Sequence, residues 1–175
     1  MELPDPIYLY TLATVAMTYA ALSMIFVFFR QIRGGVLTIF EVFIARNFLH
    51  LSFIVVTGSL LPPLLAHLAL PPWLIWRLAS AITAGFVIEH VITTPIRRRK
   101  ITNVKNPPAI IIASVVLWIS ALSLTLNIVG MPNVPSSGLF SLGVTLPLFV
   151  AIWQLLRRVN TLLSHPEDDF DPKQA

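Results

Sequence analysis

From Ile7 to Phe29 the chain runs twenty-three residues without a charge. A bilayer core about 30 Å thick takes roughly 20 such residues to cross as a helix, so this stretch is long enough to span one. Counting it as 7–29, four more apolar stretches follow, at 39–61, 73–94, 109–129 and 139–156. In hydrocarbon every backbone N–H and C=O must find a partner within the protein, which leaves helices or a closed barrel. Barrel strands alternate in polarity, and these stretches do not. The sequence therefore predicts an all-α polytopic membrane protein. Residues 1–163 form one domain of five transmembrane helices, and 164–175 form an acidic tail.

Composition excludes the competing classes. Of the 175 residues, 56% are hydrophobic and 11% charged, against about 45–50% and 25% in soluble domains. A water-soluble enzyme, a disordered chain and a nucleic-acid-binding domain are all ruled out, the last despite a net charge of +4. With no cysteine, there is no disulfide framework and no thiolate for a metal or a nucleophile.

Prolines punctuate the spans. Pro62-Pro63 is expected to stop the second, Pro71-Pro72 and Pro95 to bound the third, and Pro107-Pro108 to precede the fourth. Pro147 alone lies well inside a span, where it should kink the fifth helix and leave the Gly143 carbonyl without its helical donor. The leader Met1–Pro6 is acidic, unlike the basic start of a signal peptide.

Lysine and arginine set the orientation. Arg30 and Arg33 follow the first span. Arg97, Arg98, Arg99, Lys100 and Lys105 follow the third, and Arg157 and Arg158 the fifth; the alternate loops carry none. The positive-inside rule then places the N-terminus outside and the C-terminus in the cytoplasm. Arg97, Arg98, Arg99 and Lys100 form a topology anchor that could also attract anionic lipid headgroups. Glu167–Asp171 is a short acidic run, and the last helix should extend past the bilayer as an amphipathic piece reaching Leu163. Trp73, Trp76, Tyr8 and Tyr10 suit an outer aromatic belt and Trp153 an inner one.

Polar residues within the spans carry what chemistry there is. The second span holds Glu41, Arg46, Asn47 and His50, and the third holds Arg77, Glu89 and His90. Thr38 and Glu41 have capping-box spacing. Arg46 and Glu89 each lie about 12 Å inside the basic end, which predicts an Arg46–Glu89 ion pair, because intramembrane charges pair or face water. Arg77, Ala81, Gly85 and Glu89 step by four, and the small residues suggest a packed face. His50 and His90 differ in depth by about 7 Å, so joint ligation of a haem or metal is not expected. The set Arg46, Asn47, His50, Glu89 and His90 reads either as a structural clamp or as a proton or ion pathway. Ser120, Ser123 and Asn127 in the fourth span and Ser141 and Thr145 in the fifth could line a polar outer vestibule or simply bond their own helices. Ala13, Ala16, Ala20 and Ser23 form a packing stripe on the first.

No HExxH, GxSxG, P-loop or GxGxxG occurs, so no catalytic residue, metal site or cofactor is expected. At Arg30-Gln31-Ile32-Arg33-Gly34-Gly35, Arg46-Asn47-Phe48 and Leu61-Pro62-Pro63-Leu64-Leu65, the chain resembles a group of small bacterial polytopic inner-membrane proteins without an assigned activity. That resemblance spans most of the chain and implies a bacterial inner-membrane location. It also points to the Gly34-Gly35 turn, but brings no activity, cofactor or catalytic residue. Three functions stay open. The first is a non-catalytic subunit or assembly module, whose partners are the bilayer and other membrane chains. The second is a homo-oligomeric proton or ion channel or transporter using Glu89, Arg46, His50 and His90. The third is an intramembrane enzyme acting on lipid.

Overall fold

The computed structural model describes residues 6–32, 39–101, 108–131 and 136–163. They form five helices: α1 (Pro6–Ile32), α2 (Ile39–Ala66), α3 (Pro72–Ile101), α4 (Pro108–Val129) and α5 (Ser137–Leu163). All five are long and apolar enough to cross a membrane. The turn at Gly34-Gly35, Thr38, Arg33, Lys105 and the acidic run lie outside the described residues, as do the side chains of Arg30 and Arg158.

The helix ends follow local chemistry. α1, α3 and α4 each begin at a proline, whose missing N–H costs nothing in a first turn. α5 begins after Ser136, whose Oγ accepts from the Leu139 N–H at 3.3 Å, an N-cap contact. α4 ends where Gly130 takes φ 83°, and the N–H groups of Gly130 and Met131 both close on the Leu126 carbonyl. As expected, α5 does run on to Leu163.

Two expected breaks are absent. α2 continues through Pro62 and Pro63 to Ala66, and α3 through Pro95 to Ile101. Within a membrane a helix remains the cheapest way to satisfy a backbone even when a proline removes one bond, because packed neighbours compensate. The basic residues Arg97 to Lys100 therefore ride on the last turns of α3 rather than in a loop.

Consecutive helices run antiparallel. One end of the bundle gathers the starts of α1, α3 and α5, and the other, the basic end, gathers Ile32, Ile39, Ile101 and Pro108. α5 packs against each of the other four helices, whereas α2 and α4 stay apart. The core runs from Leu9, Ala16 and Tyr19 on α1 through Leu51 and Val55 on α2 to Leu124 on α4 and Val144 on α5. On α1, Ala13, Ala16 and Ser23 are buried as the stripe predicts.

The small-residue face of α3 is not the expected one. Ala81, Gly85 and Glu89 are exposed, and a Cβ on Gly85 would meet nothing within 4 Å. The buried side is Ala79, Ser80, Thr83, Ala84 and Val87, an equally small stripe one step round the helix. Trp76 also leaves the expected belt: it is buried against Phe140, ring centroids 5.4 Å apart. Trp73 does stand exposed, with the Arg77 guanidinium 5.3 Å from its ring.

Candidate functional site

Where α2 faces α3 near the basic end, polar side chains form one continuous string. His50 Nδ1 and His90 Nδ1 are 2.9 Å apart. His50 Nε2 lies 3.3 Å from Glu89 Oε2, and the Arg97 guanidinium is 3.9 Å from Glu89 Oε1, an oxygen that also accepts from Thr93 at 3.2 Å. Beyond His90, its Nε2 meets Thr94 Oγ1 at 3.4 Å, Thr94 donates to Asn47 Oδ1 at 3.3 Å, and Asn47 Nδ2 donates to Gln154 Oε1 at 3.4 Å. With one proton on His50 Nδ1 and one on His90 Nε2, each link from His50 to Gln154 has a donor and an acceptor.

The expected Arg46–Glu89 pair does not form: Glu89 takes His50 and Arg97, and Arg46 is exposed. The reason is that α3 runs on past Arg97 to Ile101. Counted from Ile39 and Ile101, Arg46 lies seven residues in and Glu89 twelve, and the tilt of side chains toward the N-terminus of their own helix carries Arg46 toward the basic end and Glu89 away from it. His50 and His90 each lie eleven residues in by the same count, and their rings meet. Among the described residues, no three His, Cys, Asp or Glu side chains gather as metal ligands.

The other polar set is sealed into helix seams. Ser120 donates to the Gly143 carbonyl at 2.5 Å, the acceptor that Pro147 deprives of its helical N–H. Leu124 lies where a Gly143 Cβ would stand, 2.6 Å away, so the glycine permits this close approach. Ser123 donates to the Leu139 carbonyl at 2.8 Å. Asn127 donates to Ser80 Oγ and accepts from the Ser136 N–H, at 2.8 and 2.7 Å. Thr145 donates to the Ser141 carbonyl and sits 2.6 Å from the Tyr8 hydroxyl. Ser120, Ser123 and Asn127 are all buried, so they bind α3, α4 and α5 together instead of lining a vestibule.

Because α2 and α4 stay apart, a cavity of about 400 Å³ lies between them near the basic end. Its apolar wall includes Phe48, Val91, Ala113, Leu117 and Trp153, and its polar wall Asn47, His90, Thr94, Gln154, Arg98 and Arg157. The polar string thus ends in a cavity. Of the four basic residues expected at the headgroups, Arg97, Arg99 and Lys100 are exposed, but Arg98 is 7% exposed and lines this cavity.

Sequence reasoning passed over Thr94 as a partner of His90, Gln154 as a partner of Asn47 and Arg157 as a cavity residue. The usable signal was that Asn47 and Gln154 are amide side chains at similar distances from the basic end of two antiparallel spans. No family model, curated protein or solved structure matches this chain.

Proposed function

We propose that this chain is a non-catalytic bacterial inner-membrane module, N-terminus outside, that passes protons between the exposed carboxylate on α3 and the cavity between α2 and α4. The observation that carries this reading is the 2.9 Å contact between the two histidine Nδ1 atoms, flanked by an exposed carboxylate on one side and the cavity on the other. The basic residues gathered at one end support the orientation, and the resemblance supports the location. A proton taken up on Glu89 passes to His50 Nε2. His50 releases its Nδ1 proton to His90 Nδ1, and His90 releases its Nε2 proton on the cavity side. One proton enters and one leaves, and each imidazole ends as its other tautomer. Arg97 stands beside the entry, and Arg98 and Arg157 line the cavity at the exit.

The test is ¹⁵N-histidine NMR of the reconstituted protein. A nitrogen–nitrogen coupling across the Nδ1–H···Nδ1 bond is expected and should vanish in His50→Gln. Glu89→Gln should slow proton uptake after an acid jump while leaving the melting temperature in place. Two histidines that show no coupling and titrate independently would reject the relay.

A second reading, a subunit of a larger membrane complex, is favoured by one surface. Arg46 on α2 and Ala81, Gly85 and Glu89, four residues apart along α3, are all exposed. Lipid tails are a poor cover for charge, whereas a second helix fits against small residues. Native mass in mild detergent tests it: a homo-oligomer or hetero-complex supports this reading, and a monodisperse single chain removes it.

A further inference from the structure

We infer that the cavity between α2 and α4 is a binding site for a single-chain amphiphile with an anionic head, a carboxylate or a phosphate. Three observations converge on this ligand.

The first is the wall. Phe48, Val91, Ala113 and Leu117 are buried side chains that line the cavity, and they offer no partner to a polar ligand. Small-molecule sites are mostly apolar with a few placed polar groups, and span about 300–1,000 Å³. At about 400 Å³ this cavity lies near the lower end, which suits one chain rather than two.

The second is charge. Arg98 on α3 and Arg157 on α5 line the same cavity, and the Arg157 guanidinium lies 5.7 Å from the centre of the Trp153 ring. A guanidinium carries five N–H donors in a fork that matches carboxylate and phosphate oxygens. Both guanidiniums border the same low-dielectric cavity, and an anionic head set against its wall is attracted to each. Asn47, Thr94 and Gln154 add neutral hydrogen-bonding groups on the wall.

The third is access. Ile111, 55% exposed, and Arg157, also exposed, are lining residues. The cavity therefore reaches the bundle surface at the end that carries the basic residues. A chain entering from the membrane would place its tail against Leu117 and its head at the arginines, matching the amphiphile's own orientation in a leaflet. The site goes beyond the proton relay and does not need it, because none of these three observations involves His50 or Glu89.

The full chain in phosphatidylcholine nanodiscs would be titrated with oleate, lysophosphatidate and the uncharged monoolein, and stoichiometry read by native mass spectrometry. Saturable binding of one oleate or one lysophosphatidate per chain is expected, with monoolein at least tenfold weaker. Oleate alone would assign a carboxylate head, lysophosphatidate alone a phosphate head, and both an anionic head in general. Arg157→Gln should weaken the anionic probes about tenfold, and Ala113→Phe should abolish binding by filling the wall. Should Ala113→Phe fail to fold, Arg157→Gln still decides. Monoolein binding as tightly as oleate, or an undiminished affinity in Arg157→Gln, would overturn the anionic site. The absence of any saturable binding would overturn the cavity as a site. The histidine coupling is read without amphiphile, so relay and site can fail separately.

Discussion

The two ends of the bundle both hold polar side chains but treat them differently. At the end where α4 finishes and α5 begins, the hydrogen bonds of Ser120, Ser123 and Asn127 measure 2.5–2.8 Å, and the three residues are buried. At the basic end the string from Glu89 to Gln154 is mostly 3.3–3.4 Å long, shortens to 2.9 Å only between the histidines, and borders a cavity. Short bonds to backbone carbonyls with glycine-mediated contact make a seam. Longer side-chain links beside a cavity form no such seam, and it is there that the proposed relay and ligand site lie. The contrast separates polar residues that hold helices from those on which the proposal rests, which residue type alone does not.

The sharpest test of that division compares two glycines. Gly143→Ala forces a Cβ into Leu124 at 2.6 Å, and overpacking of this kind costs about 1–3 kcal/mol. Gly85→Ala meets nothing and removes a flexible residue from a helix interior, a gain of about 0.5–1 kcal/mol. Unfolding in detergent should move in opposite directions for the two variants. Equal shifts would dissolve the distinction between seam and open face.

Next in size is a pair of asparagines. Asn127→Leu loses bonds to Ser80 and to the Ser136 N–H. Intramembrane hydrogen bonds average about 0.6 kcal/mol and reach about 1.7, so a loss of about 1–2 kcal/mol is expected. Asn47→Leu breaks only contacts of 3.3 and 3.4 Å and should cost less than about 0.6 kcal/mol. A larger loss at Asn47 would make the basic end a structural clamp.

The most specific effect concerns a single carbonyl. Ser120→Ala leaves the Gly143 carbonyl without its donor, at a cost of about 1 kcal/mol. Pro147→Ala gives position 147 an N–H that can bond that carbonyl within the helix, so the double variant should recover most of the loss. Additive losses in this cycle would mean that Ser120 does not substitute for the proline's missing donor.

Much of this was legible in the chain, and the misses have physical causes. The five spans were readable because hydrocarbon forces a length and a composition. Their ends at Ala66 and Ile101 were not, because proline reads as a stop in water but is tolerated in a packed membrane helix. The special status of the Gly143 carbonyl followed from Pro147 four residues on; its donor, Ser120, required knowing which helix faces α5. Glu89 and the two histidines were picked out as polar residues inside spans. Their pairing was not legible, because a depth count depends on where α3 ends, and it runs past Arg97 to Ile101. The cavity had no sequence signature, since it arises from two helices, α2 and α4, that fail to meet.

The contact of α5 with every other helix has a consequence for how the protein is made. A ribosome delivers α1 to α4 first, and these form only a chain of neighbours. Until α5 arrives, Ser120 and Ser123 lack their acceptors on Gly143 and Leu139, the Tyr19 hydroxyl lacks the Ala151 carbonyl that accepts it, and Asn47 lacks Gln154. The nascent bundle therefore waits, with these polar groups unmet, for α5. A chain stalled before Ser137 should be what membrane quality control recognises and removes.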